Sequence, residues 1–514
     1  MGVASIWGFA VVGVDALPVR VEAHARNGLP GVTIVGLPGA AVREARERVR
    51  SAAASSNLPL PTRRITINLS PGDVPKDGPG FDLPVALATL AACGYLPIEC
   101  VGGIGAVGEV SLEGMVRPTR GMLSVAESAS RLGVNLLIVP MEGLPAASEV
   151  SRMPVAGVRS LAEAVLVAKD AARRGRVLER GDRWLRVRTT ATPASRDEPQ
   201  DLAEVVGHYQ AKRALEIVAA GAHHLLMVGP PGSGKTMLAR RLGGILPPLT
   251  REEAVDVTRV WSAAGLRDVH IGLARERPFR APHHTASRAA LVGGGVGLRP
   301  GEVSLAHRGV LFLDELPEFS RDALEALRQP LEEGRVIISR RAGTSVFPAS
   351  CTFVAAMNPC ACGYLGHARK ECRCSAIAIQ RYRARISGPL LDRIDALVEV
   401  PPLTLTELEG RARAESSATV RARVLAAREF ARDRAAGVDS ECHRSLEDKG
   451  SLDGEARALL RQALVNESLS GRGYARVISL SRTIADLDGL VTVGGQHVAE
   501  ALALRLDHRR IGFV

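Results

Sequence analysis

Gly229 to Thr236 reads GPPGSGKT, a match to G-x-x-x-x-G-K-[ST], and the chemistry served by that spacing is a grip on nucleotide phosphates. Gly232 and Gly234 let backbone N–H groups curl around the phosphates at a helix start. Lys235 neutralises the β and γ charges, and Thr236 supplies a ligand to Mg²⁺. Gly229, Pro230, Pro231 and Ser233 complete the cradle. Further along, GVLFLDELPEF sets Asp314 and Glu315 directly after the apolar run Val310 to Leu313. A buried strand ending in two carboxylates puts Asp314 where it can hold the Mg²⁺ shell. Glu315 then stands where it can orient and deprotonate an attacking water. The two stretches together imply hydrolysis of ATP.

A different chemistry is written in CACGYLGHARKECRC. It holds Cys360, Cys362, Cys372 and Cys374, half of the eight cysteines in 514 residues. Two C-x-C turns in one short loop offer four thiolates, the donor set of a structural Zn²⁺ at ~2.3 Å per bond. His367 and His443 are the substitutes should one thiol fail. The loop has too little apolar content to pack without a metal. It begins just after Asn358, the polar end of the strand CTFVAAMN, where an amide can hold the attacking water. A rigid projection that follows the nucleotide state and touches DNA or the next subunit is the expectation.

These groups need a scaffold to position them. LLMV before the glycine-rich loop and a helical pattern after it give the strand, loop and helix order that the motif requires. A chain of this length holds two to four domains at ~150 residues each. RTTATPASRDEPQ, where hydrophobic periodicity lapses, reads as a linker between them. Before it, strands such as ITINLS alternate with Ala-rich helical stretches such as LPVALATLAACG. After it, strand and helix alternate to about Pro401, and the remainder is helical by period. Hydrophobic residues at 46% and charged residues at 24% fit buried cores rather than disorder. The apolar start, broken by Asp15 and Pro18, reads as a buried strand and not as a signal peptide. No run reaches the ~20 apolar residues of a membrane span, so the expected location is the cytoplasm, with no membrane partner. A net charge of +11 favours a polyanion such as DNA, while aromatics at 3% argue against a base-stacking platform.

The spacing of Asn358, of Arg393 in ISGPLLDRIDALVEVPP and of Arg472 in SLSGRGYARVISLSRTIADL resembles the AAA+ ATPases. The resemblance implies that Asn358 is sensor 1, Arg393 an arginine finger reaching a neighbour's γ-phosphate, and Arg472 sensor 2, with Arg476 as its substitute. It also implies a ring, a homo-hexamer. FRAPHHTASRAALVGGG, PGEVSLAHRGVLFLDELPEF and MNPCACG are similar to the magnesium chelatase-like AAA+ proteins of the ComM/YifB type, end to end. RVIISRRAGTSVFPAS has the alternation and Gly343 turn of the β-hairpin that this clade carries before sensor 1. Arg340 and Arg341 near its tip are candidate DNA contacts, or simply a solvated tip.

GDVPKDGPGFDLPVALA and VGEVSLEGMVRPTRGMLSVAESASRLGVNLLIVP resemble the proteolytic domain of the Lon family, but Gly80 and Leu123 replace its serine and lysine. Without that pair there is no acyl-enzyme route. The expected architecture is α/β throughout. An inactive Lon-protease-like domain of the ribosomal S5 domain 2-like type (1–185) is followed by a linker (186–200). An AAA+ P-loop core (201–402) then includes the pre-sensor hairpin 335–350 and the four-cysteine loop 360–374, and a helical lid (403–514) completes the chain. The function implied is an ATP-driven, Mg²⁺-dependent DNA motor promoting branch migration in recombination or natural transformation, with recombination proteins as further partners. The alternative is a chelatase-type or protein-remodelling ATPase that does not act on DNA.

Overall fold

The computed structural model describes residues 2–174, 200–266, 272–294, 299–340, 343–367, 370–404, 407, 415–436, 452–465 and 469–510. By its contacts the chain divides into two compact units. The first is Met1–Ala194 with Arg251–Ala274 and Ile337–Phe347, and the second is Ser195–Thr250, Arg275–Val336 and Pro348–Val514. Spacing along the sequence places 251–274 and 337–347 inside the nucleotide-binding core, whereas by contact they group with the front unit. Arg259, on the helix Arg251–Ala264, pairs with Asp15 at 2.5 Å and with Glu127 at 3.5 Å. The Ser262 hydroxyl accepts from the Gly121 N–H at 3.2 Å. Of the expected linker only Gln200 is described. The hairpin forms as Arg335–Arg340 against Gly343–Pro348, while Arg341 and the side chain of Arg340 lie outside the described residues.

The first unit is built on a seven-stranded mixed sheet. Its strands are β1 (Ala4–Val12), β2 (Asp15–Arg26), β3 (Gly31–Val35), β4 (Arg64–Ser70), β5 (Ile104–Ala106), β6 (Leu136–Pro140) and β7 (Val155–Val158), in the order β3-β4-β2-β1-β5-β6-β7. The apolar N-terminus is therefore a central strand, and it pairs antiparallel with β2 from Ala4↔Ala23 to Val12↔Asp15. Helices α1 (Ala40–Ser55), α2 (Asp82–Ala92), α3 (Met122–Leu132) and α4 (Leu161–Arg174) surround it. Leu123 is 2% exposed and belongs to the core, so an apolar side chain fills the place where a base would stand. A Cβ added at Gly80 would meet Val107 at an ordinary 3.4 Å. Space for a small side chain exists at Gly80.

Asp82 opens α2 from a fully buried position and is held bidentately by Arg48 at 2.7 and 2.8 Å, with the Val110 N–H at 3.2 Å. Burial pushes its carboxyl up from the usual range, and Arg48 opposes that shift. Arg48→Met strands a buried carboxylate and is expected to cost about 3–5 kcal/mol. The deficit, measured by thermal unfolding of the front-unit transition, should shrink as pH falls, because a protonated Asp82 no longer needs its partner. A deficit that does not change with pH would mean that lost packing dominates.

The second unit is a five-stranded all-parallel sheet of β8 (Leu225–Val228), β9 (Phe279–Arg280), β10 (Val310–Leu313), β11 (Thr352–Met357) and β12 (Ala396–Glu399), in the order β9-β10-β11-β8-β12. Every residue of β8, β10 and β11 is buried, as expected of central parallel strands covered on both faces. Helices α5 (Tyr209–Gly221), α6 (Lys235–Ile245) and α7 (Ala376–Arg383) flank the sheet region. The C-terminal helices α8 (Ser417–Ala436), α9 (Gly454–Val465), α10 (Gly471–Leu487) and α11 (Gly495–Arg510) share one hydrophobic core with it, through Val424, Leu460, Val477 and Ala501. No helix of the described residues is long and apolar enough to cross a membrane.

Candidate functional site

Lys235, Thr236, Asp314, Glu315 and Asn358 gather at the C-terminal ends of β8, β10 and β11. The loop Gly229–Gly234 leaves β8 and enters α6 with Gly232 and Gly234 at φ +77° and +87°, values that β-carbon-bearing residues rarely adopt. Lys235 is buried and donates to the Gly229 and Pro230 carbonyls at 2.7 and 2.9 Å and to Asn358 Oδ1 at 3.3 Å. Burial lowers its pKa, and Asp314 and Glu315 work against that. A triphosphate would restore a stabilised ammonium there.

Thr236 Oγ1 donates to Asp314 Oδ2 at 2.6 Å. Two oxygens in adjacent positions of a Mg²⁺ octahedron, with bonds of ~2.1 Å, lie about 3 Å apart. The pair therefore fits Mg²⁺ with a small opening. Asp314 also accepts from the Glu315 N–H at 2.9 Å, and Glu315 itself sits at φ +52°. A non-glycine residue in that region is held there by its surroundings, and here the result is a carboxylate that stands out of the strand end, exposed.

Sequence reasoning assigned no role to His284. Its Nδ1 lies 3.1 Å from Glu315 Oε2, and its ring stacks on His283 with centroids 4.1 Å apart. β9 runs parallel to β10, pairing Phe279 with Val310, so the loop after β9 returns beside the carboxylates. The histidine pair in FRAPHHTAS was the only signal available.

The four thiols of the loop after Asn358 converge as expected. Their sulfurs lie within 4.8 Å of one another, with Cys360 to Cys362 at 3.4 Å and both to Cys372 at 3.6 Å. A zinc tetrahedron with ~2.3 Å bonds has edges of about 3.8 Å, so the cluster fits a single ion. Backbone N–H groups of Tyr364 and Arg373 hold the Cys362 thiol down at about 6, while burial and the neighbouring thiols push Cys372 and Cys374 up. Of the substitutes, His367 is turned to the Lys370 N–H and to Tyr364, while His443 lies outside the described residues.

Arg393 is 8% exposed. It donates to the Arg328 carbonyl at 3.0 Å and the Pro389 carbonyl at 2.6 Å, and it pairs with Glu332. The charges of Arg472 and Arg476 also bear on the exposed Glu332 carboxylate, which Arg393 contacts. Arg476 is neutralised by Asp395, which the His224 N–H also holds at 2.7 Å. Arg472, exposed in the first turn of α10, makes no hydrogen bond or ion pair among the described residues. Of the two sensor 2 candidates, Arg472 is the one whose side chain is unengaged.

Residues 201–408 match the family described as magnesium chelatase, subunit ChlI, residues 21–143 match subunit ChlI of Mg-chelatase, and residues 414–505 match its C-terminal part. The chain is 42% identical over 507 residues to the competence protein ComM of Haemophilus influenzae, covering 98% of each chain. It is also 42% identical over 509 residues to the uncharacterized protein YifB of Escherichia coli, covering 97% of this chain and 96% of that one. A partial likeness, 38% over 135 residues, links 24% of the chain to 16% of the Lon protease of Chloroflexus aurantiacus.

Proposed function

Because the chain belongs to the magnesium chelatase-like AAA+ proteins of the ComM/YifB type, we propose that it is an ATP-hydrolysing ring motor that acts on DNA and promotes branch migration. The observation that carries the ATPase reading is the convergence of Lys235, Thr236, Asp314, Glu315 and Asn358 at one end of one sheet. Mg²⁺, when bound between Thr236 and Asp314, screens the phosphate charge. Lys235 and the loop amides hold the β and γ oxygens, Asn358 bridges Lys235 to the water's side, and Glu315 takes the proton. Arg393 is read as the finger that reaches a neighbouring subunit's nucleotide and Arg472 as sensor 2, and the in-trans finger makes the active unit a ring. Zinc in the four-cysteine loop is read as structural.

The DNA reading rests on the end-to-end similarity to a competence protein and on the net charge of +11. The deciding experiment measures steady-state ATP hydrolysis without DNA, with single-stranded DNA and with a four-way junction. Several-fold stimulation supports the motor. Flat turnover in protein that binds ATP and forms rings would transfer the reading to protein remodelling or chelatase-type work.

The His284 contact carries a further expectation. An imidazole 3.1 Å from Glu315 Oε2 competes with water for that oxygen. His284→Ala is therefore expected to raise DNA-free turnover about two- to tenfold, the scale on which one polar contact shifts an equilibrium. Nucleotide affinity should be unchanged. A fall in turnover would make His284 an orienting group instead.

A further inference from the structure

Three tethers join the segment 357–363 to the phosphate loop. The Gly229 N–H donates to the Met357 carbonyl at 3.2 Å. Lys235 donates to Asn358 Oδ1 at 3.3 Å. The third tether is a contact of the four-cysteine loop itself. Gly363, at φ +84° in the turn after Cys362, lies so close to the phosphate loop that a Cβ there would stand 2.6 Å from Pro231 Cδ and 2.7 Å from Pro231 Cγ. Behind the loop a cavity of about 240 Å³ is walled on one side by Gly229 and Pro230 and on the other by Pro359, Leu365, Gly366 and His367. The thiol loop is thus the outer support of the phosphate loop.

Both halves of the thiol set bear on this contact. Cys360 and Cys362 flank the turn that carries Gly363, whose N–H donates to the Cys360 carbonyl at 3.0 Å. Cys372 and Cys374 lead directly into α7, capped by Ser375. From α7, Arg383 holds the Pro359 carbonyl at 3.2 Å, and Tyr382, whose phenol is pushed up to about 12 chiefly by burial, accepts from the Asn358 N–H. Between the two halves the described loop contributes only Tyr364 and Leu365 as large apolar groups. A metal held by the four thiols would tie this turn on one side to α7 on the other.

We propose that metal occupancy of the Cys360/Cys362/Cys372/Cys374 cluster positions the phosphate loop through the Gly363–Pro231 contact, so that the metal site controls affinity for ATP. Gly363 is a positioning residue here, and it touches no substrate. The proposal rests on the ATPase reading of the site and is independent of DNA.

Affinity for a fluorescent ATP analogue, with zinc content measured alongside, provides the test. Chelation of the intact chain should weaken binding roughly tenfold, within the usual range of coupling between two sites, and added Zn²⁺ should restore it. Gly363→Ala should weaken binding to a similar degree while zinc content stays that of the unaltered chain. Pro231→Ala removes the two atoms that the added methyl would strike, so the double variant should recover the part of the loss that comes from that clash, the left-handed backbone of residue 363 keeping the rest. A merely structural fault would not be rescued in this way. The proposal is overturned if the chain neither carries nor takes up metal, if stripped protein binds nucleotide as tightly as loaded protein, or if Gly363→Ala leaves affinity unchanged. Loss of DNA stimulation with affinity intact would count against the motor reading and not against this one.

Discussion

Glu315→Gln is expected to lower ATP turnover by about a hundred- to ten-thousandfold, the contribution of a positioned general base, while nucleotide binding stays within about twofold. The amide keeps the size of the carboxylate and leaves Lys235, Thr236 and Asp314 untouched. What is lost is the ability to accept a proton from water. Lys235→Ala is the contrasting variant. It removes the cation that Asn358 and the loop carbonyls surround, and it should abolish binding as well as turnover. Phosphate release and binding of a fluorescent ATP analogue separate the two outcomes. Turnover within about threefold of the unaltered protein would remove Glu315 from the role of base and leave the adjacent carboxylate, Asp314, to be tested.

The parts of this site that the sequence discloses are those fixed by short-range spacing. GPPGSGKT, the strand end at Asp314 and Glu315, and the four thiols between 360 and 374 each sit on one local element, so residue type and order suffice. The parts that stay hidden arise from pairing between distant segments. His284 meets Glu315 because β9 lies beside β10, a neighbour relation that no local pattern encodes. Arg259 meets Asp15, and a segment assigned by position to the nucleotide-binding core groups with the front unit. The choice between Arg472 and Arg476 turns on Asp395, a side chain from another strand's approach that occupies one of them. The support of Pro231 by Gly363 follows from a backbone contact, and a glycine in a cysteine loop gives no hint of it.

Arg393→Ala should reduce turnover of the assembled protein by about 10³-fold or more, the effect of removing an arginine that stabilises transition-state charge. The same side chain is buried against its own subunit by Glu332 and the carbonyls of Arg328 and Pro389, so a purely structural role would also make the variant defective. Mixing distinguishes the two. In the proposed ring a heterologous interface would join one subunit's Glu315 to the next subunit's Arg393. Rings assembled from equal parts Arg393→Ala and Glu315→Gln chains contain some interfaces at which both intact groups meet. With random order that is about a quarter of them, and turnover should return toward that fraction of normal although neither variant works alone. An arginine acting within its own subunit leaves every site in the mixture lacking one of the two groups, and turnover stays at the floor. Thermal unfolding of Arg393→Ala completes the test. A variant that unfolds with the unaltered protein yet recovers only in mixed rings places the guanidinium at the neighbour's phosphate, and the loss of the Glu332 contact then costs assembly-dependent catalysis and not the fold.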